Sequence, residues 1–406
     1  MRRTTLHGSD QSLRSIRRMI FALSFITITG GAILAQDATA PNAPAQDGVP
    51  VQDGVPVQDG AQAQDANTTR EYRNTLRAIL DPQPLLADHP EFFEPIIERG
   101  RFEAPPIIDD PSGDLSVRAW RFSYNARGII EMPNRIRADQ TAIIMVHPWA
   151  IDDDWGWKSP QPNGVADFCT PEKNKLAARH TKEVIDPFLK RYRDDVAFVM
   201  YSLPGPADPI RTKVYRSFGK TPTAQERSAG ERELRKRLAD FDYRGEPLPD
   251  RLTLGPQQPV ADYFRQFPGL DAGARFNNEG FWSLPIPVST SIDVKLNDVV
   301  IFDDEGYPPL RDFLKANKVK HVLLTGYATD MCYCRTTAGY ENLSKDFNVF
   351  LVADASLATF PANSTPRFAV NAAISFASLN QLITQVSWVH PIGESKTRSE
   401  AAAGAK

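Results

Sequence analysis

From Ala142 onward, short apolar runs alternate with stretches of helical period, and this alternation limits the chain to few folds. Residues 142–146, 195–202, 298–302, 321–325 and 348–352 read as buried strands, and 383–388 as a sixth. A strand covered on both faces is a near-continuous apolar run, because neither side needs to meet water. Helices are expected over 171–191, 309–317, 332–344 and 365–382. Strand–helix repetition of this kind predicts an α/β fold: a parallel sheet of about six strands, with right-handed crossovers placing helices on both faces. Ligands bind such sheets at the carboxyl ends of the strands.

The rest of the 406 residues is organised around this body, assigned to 141–390. Residues 1–35 carry a basic start (Arg2, Arg3, Arg14, Arg17, Arg18) and an apolar run from Met19 to Leu34, followed by Ala35. That order predicts a secretory signal peptide and an extracytoplasmic, periplasmic or secreted protein. The apolar run is short for a membrane span of about 20 residues. Left uncleaved, it would still tether the chain to a membrane. Residues 36–69 repeat Gln-Asp-Gly-Val-Pro-Val from Gln46 and again from Gln52, then decay. With almost no large apolar side chains they cannot form a core, and a low-complexity linker is expected. Residues 70–140 form an amino-terminal extension. A helix is expected over 71–79, and alternation over 115–124 and 129–132, with a turn at 125–128, predicts a hairpin packed on the main domain.

Between the second and third strands, residues 204–290 are an insertion far longer than an ordinary crossover. It holds a charged helix over 226–240, with i,i+4 pairs Glu231/Arg235 and Glu233/Arg237. The aromatic set Tyr263, Phe264, Phe267, Phe276, Phe281 and Trp282 follows and reads as a small core. A disordered tail is expected over 391–406. With 47 basic and 50 acidic side chains, nothing favours nucleic acid as a partner. The three cysteines, Cys169, Cys332 and Cys334, are not a disulfide framework, and no spacing of Cys or His suggests a metal or another cofactor.

The chemistry is concentrated in one string, His321-Val-Leu-Leu-Thr-Gly-Tyr-Ala-Thr-Asp-Met-Cys-Tyr-Cys-Arg-Thr-Thr-Ala338. A buried strand turns sharply at Gly326 and a helix begins at Cys332, with Thr329 and Asp330 as good cap residues. A thiol in the first helical turn meets unpaired N–H groups and the positive end of the helix dipole, which favour the nucleophilic thiolate. The same N–H groups can hold a developing oxyanion. Cys334, two residues on, faces elsewhere and reads as core.

The string Gly326-Tyr-Ala-Thr-Asp-Met-Cys332, the following Thr337-Ala338, and Phe350-Leu-Val-Ala-Asp354-Ala355 resemble the isochorismatase-like cysteine hydrolases. The resemblance covers about the last 80 residues well and the first strand moderately. It implies a Cys nucleophile at Cys332, a cis peptide at Tyr327–Ala328, and oxyanion donors at the backbone N–H groups of Ala328 and Cys332. It implies small amides, ureas or vinyl ethers as substrates, with a homo-oligomer as an admissible assembly. The family completes its triad with an Asp after the first strand and a Lys after the third. Here His147 and Asp303 stand at those places, and Lys295 is at the wrong end of its strand. Relatives that hydrolyse nicotinamide hold a metal through an Asp and paired His, for which Ser202-Leu203-Pro204 offers no counterpart. Three readings fit: a hydrolase with His147 as base and Asp303 as its orienter, an inactive relative that binds a ligand or partner, and an interaction protein keeping only the fold.

Overall fold

The computed structural model describes residues 69–123, 127–156, 158, 171–241, 250–265, 284–329, 332–358 and 385–391. The chain divides after Thr69, and all that follows concerns the unit that begins at Arg70. The amino-terminal segment, the repeats, Cys169, most of the aromatic set, the helix expected over 365–382 and the tail after Pro391 lie outside the described residues.

Six strands run parallel at the centre: β5 (Thr141–Val146), β6 (Phe198–Leu203), β7 (Val299–Phe302), β8 (His321–Tyr327), β9 (Asn348–Leu357) and β10 (Gln385–Pro391). Their order is β10-β9-β8-β5-β6-β7. Every residue of β5, β7 and β8 is buried, as their predominantly apolar sequences favour. The α/β class expected from the sequence is the class found.

The sheet is larger than expected. Four more strands, β1 (Arg77–Ala78), β2 (Arg101–Glu103), β3 (Leu115–Ser123) and β4 (Gly128–Ile136), extend it to ten. The β3–β4 hairpin does not merely pack on the domain. β3 pairs antiparallel with β10, from Leu115 opposite Pro391 to Trp120 opposite Gln385, and so covers the edge that β10 would otherwise expose. Glu131 sits buried in this extension between Arg101 and Arg118, which pair its charge. The helix expected over 71–79 is absent. That segment runs extended, with Ile79 N–H bonded to Arg101 O and Tyr72 Oη to Pro105 O at 2.5 Å.

Helix α1 (Pro171–His180) passes through a π-turn (Thr181–Ile185) into α2 (Asp186–Tyr192). The insertion contributes α3 (Arg211–Val214), α4 (Ala224–Ala239) and α5 (Pro259–Arg265). Thr223 and Glu226 close a capping box on α4. Glu233 pairs across to Lys213 at 2.8 Å, and Arg235 lies over the Trp155 ring, so the i,i+4 pairs expected on this helix give way to contacts outside it. After β7 comes α6 (Tyr307–Ala316). The helix expected over 332–344 is two short pieces, α7 (Cys332–Arg335) and α8 (Tyr340–Leu343). The break falls at Thr336-Thr337, where Thr337 Oγ1 donates to the backbone carbonyl of Asp303 instead of packing along a helix.

Successive strands step from β5 to β6 to β7 one way, then from β7 back across to β8, β9 and β10. The direction reverses between β5 and β8, and the crevice outside their carboxyl ends is where such a sheet accommodates a ligand. His147 follows β5 directly and Tyr327 closes β8.

Candidate active site

Gly326 lets the two strand ends approach. Its φ is 103°, and a Cβ there would sit 2.2 Å from the Val146 carbonyl oxygen, so no other residue fits the elbow. The Tyr327–Ala328 peptide that follows is cis. Tyr327 is buried, and its hydroxyl meets Ala177 O at 3.0 Å, Thr181 Oγ1 at 2.8 Å and His180 Nδ1 at 2.9 Å. The π-turn begins at Thr181, and its widened backbone brings His180 and Thr181 to the same oxygen. His180 Nε2 in turn meets Asp354 O at 2.8 Å. Asp354 lies within β9 rather than at its end, and burial, reinforced by the charge of Asp88, pushes its carboxyl up to about 7.

Beyond the elbow, Thr329 N–H is bonded to Leu357 O and Tyr333 N–H to Ala328 O. Neither bond uses the N–H of Ala328 or Cys332. Cys332 is half-buried at the first position of α7, while Cys334 is buried and donates to Thr329 O at 3.3 Å.

His147 has φ 45°, an uncommon conformation for a residue with a side chain and one that costs on the order of 1–3 kcal/mol. It is held by its N–H bond to Ser202 O at 3.0 Å. The twist turns the imidazole toward β7, where its Nε2 lies 2.7 Å from Asp303 Oδ2. Asp303 Oδ1 accepts from Ser202 Oγ at 2.6 Å. Both side chains are largely shielded, at 20% and 15% exposed. Burial alone would lower the imidazole's affinity for a proton. The Asp303 carboxylate, helped by the nearby Cys332 thiol, outweighs burial and raises it to about 10. Nε2 is committed to Asp303, which leaves Nδ1 without a carboxylate partner. The structure therefore places His147 against Asp303 at the ends of β5 and β7, with the Cys332 thiol among the groups that act on the imidazole.

Sequence reasoning assigned no role to Ser202 or Trp149. Trp149 stacks edge-on against Tyr327 at 6.2 Å, and its Nε1–H donates to Asn174 Oδ1 at 2.7 Å. Nothing in a lone serine at a strand end marks it as a carboxylate partner. Trp149 stands two residues after His147, a spacing that already places it at the sheet's carboxyl edge. The insertion braces this loop from outside: Asp153 accepts from Thr290 N–H at 2.9 Å, and Trp155 Nε1–H donates to Val288 O at 2.8 Å.

No family profile matches the chain, and no curated protein matches it in sequence. Among solved structures, a cysteine hydrolase from Pseudomonas syringae pv. phaseolicola 1448A aligns over 60% of this chain and 87% of its own, at 16% identity and TM-score 0.30. The pyrazinamidase of Pyrococcus horikoshii in complex with zinc aligns over 61% and 99%, at 17% identity and TM-score 0.31. The pyrazinamidase/nicotinamidase of Streptococcus mutans UA159 aligns over 60% and 99%, at 13% identity and TM-score 0.28. The chain resembles the isochorismatase-like cysteine hydrolases in its α/β fold with a parallel sheet.

Among the described residues the donors do not fit a zinc site. His147 is committed to Asp303, and both ring nitrogens of His180 are engaged. Among the described residues no three His, Cys, Asp or Glu side chains are grouped to hold an ion.

Proposed function

We propose that this chain is a cysteine hydrolase that cleaves a small amide, urea or related substrate through a covalent intermediate on Cys332. The observation that carries the reading is the His147–Asp303 contact at 2.7 Å, beside the Cys332 sulfur and at the switch point of the sheet. A Cys–His–Asp unit replaces the family's Asp and Lys with a base and its orienter, which is an established solution for activating a thiol.

For an amide, the Cys332 thiolate forms the S–C bond at the carbonyl carbon while the carbonyl π pair moves onto oxygen. The N–H groups of Ala328 and Cys332 hold that oxyanion. As the pair returns, the C–N bond breaks and the His147 imidazolium gives its Nδ1 proton to the leaving nitrogen. Water then attacks the thioester, giving a proton back to His147. The C–S bond breaks, the carboxylic acid leaves, and thiolate and imidazolium are restored. Throughout, Asp303 accepts from Nε2–H and stabilises the imidazolium.

The test is ammonia or amine release from a panel of small amides and ureas by the full-length chain and by Cys332→Ala. Turnover abolished in Cys332→Ala supports the reading. Turnover that survives the substitution excludes it. A Cys332 that is alkylated yet turns over nothing in the panel favours an inactive relative that binds its ligand in the same crevice.

The proposed setting is extracytoplasmic, on the basic-then-apolar order of residues 1–35 and the small residue that ends it.

A further inference from the structure

We infer that Ser202 is a positioning residue of this site, holding His147 with its main chain and Asp303 with its hydroxyl. The inference rests on the reading of His147 and Asp303 as a working pair. Ser202 belongs to β6, which lies between β5 and β7, the strands that deliver the other two residues. In register it sits beside Val146 on one side and Ile301 on the other. From that position its carbonyl accepts the His147 N–H at 3.0 Å, and its hydroxyl donates to Asp303 Oδ1 at 2.6 Å.

The hydroxyl decides more than an orientation. Ser202 is fully buried and has one proton, and a carboxylate is an acceptor at both oxygens. With Oδ1 occupied by Ser202, Oδ2 is the oxygen offered to His147, and the Nε2 facing it must be the protonated nitrogen. That leaves Nδ1 to exchange a proton with the sulfur. Without the hydroxyl, Oδ1 is left unsatisfied and the carboxylate can turn about χ2, a torsion with a broad, two-fold profile. The imidazole then loses its fixed carboxylate partner. Thr337 Oγ1, which donates to the Asp303 backbone carbonyl, holds the main chain but not this torsion.

The experiment compares Ser202→Ala and Ser202→Cys with the wild-type full chain. Cysteine keeps nearly the size of serine but donates weakly, so it separates volume from hydrogen bonding. Three quantities are read: the NMR titration of His147, the iodoacetamide rate at Cys332 mapped by mass spectrometry at pH 7, and the melting temperature. In both variants the His147 midpoint is expected to fall and the alkylation rate to drop about tenfold, the effect of one hydrogen bond to a charged group. A wild-type His147 midpoint in either variant overturns the inference, as does recovery in Ser202→Cys alone. The cysteine variant stands in if the alanine variant does not fold. If Cys332 of the wild type is inert while the midpoint still falls, the positioning role stands and the hydrolase reading fails. If the midpoint is unmoved while His147→Ala slows alkylation, the reverse holds.

Discussion

Replacing Asp303 with asparagine changes one atom type and nothing in volume, yet it inverts the electrostatics of the site. Ser202 Oγ donates to one Asp303 oxygen and His147 Nε2 faces the other. In Asp303→Asn the hydroxyl selects the amide oxygen, and the amide NH2 is turned toward Nε2. Nε2 must then accept, Nδ1 carries the proton, and the ring can no longer take one from the thiol. A wrong-tautomer replacement of this kind costs on the order of 10^3–10^4 in kcat. The same change removes the carboxylate, the largest influence raising the imidazole, so burial acts with less opposition.

The wild-type gap between 6.5 and about 10 corresponds to roughly 5 kcal/mol of net preference for the charged ring in the folded state, with the opposing effect of burial already included. A hydrogen bond between charged groups contributes about 1.5–3 kcal/mol net. The folded value lies above the unfolded one, so this stability is fully present below about pH 6.5. It is lost as pH rises through about 10. The difference in unfolding free energy between wild type and Asp303→Asn, measured by urea titration from pH 5 to 11, is expected to be largest at the acid end and to close toward pH 10. His147 NMR titrations give the same information directly. Equal His147 midpoints in the two proteins, or a stability difference that does not change with pH, refute the reasoning.

Tyr327→Phe removes the hydroxyl shared by Ala177 O, His180 and Thr181, a buried hydrogen-bonding node. It is expected to destabilise the fold by about 1–3 kcal/mol in urea and to lower kcat more than it raises KM, because the elbow loosens. Deleting residues 36–69 is expected to leave the melting temperature of the body unchanged, since the repeats carry almost no large apolar side chains; a fall of several degrees contradicts this. Amino-terminal sequencing of extracytoplasmic material is expected to begin near Gln36, and recovery only of intact chain in the cytosol contradicts the proposed setting.

The parallel sheet was legible because buried strands such as 142–146 and 321–327 carry their own pattern, and the elbow was legible because Gly326 and Cys332 bracket a turn that few sequences make. The ten-strand breadth of the sheet was not. Strand β3 was visible as an alternation, but its partner β10 lies some 270 residues later, and pairing at that separation leaves no local trace. The break after α7 was hidden for a similar reason: Thr336-Thr337 is compatible with a helix until Asp303, 34 residues earlier, supplies a better acceptor. His147 and Asp303 could be picked out because each occupies a strand end with an unexpected residue type. Ser202 could not, because its role exists only once β5, β6 and β7 are side by side.

The central claim is that Cys332 and His147 act as one unit, and limiting-dose iodoacetamide labelling at pH 7 tests it most directly. Labelled sites are mapped by mass spectrometry in wild type and in His147→Ala. The account predicts that Cys332 is modified before Cys169 and Cys334 in the wild type, and that His147→Ala slows its modification by about tenfold or more, the loss of one charged partner. Prior labelling of Cys169 or Cys334, or an unchanged rate at Cys332 in His147→Ala, would contradict it.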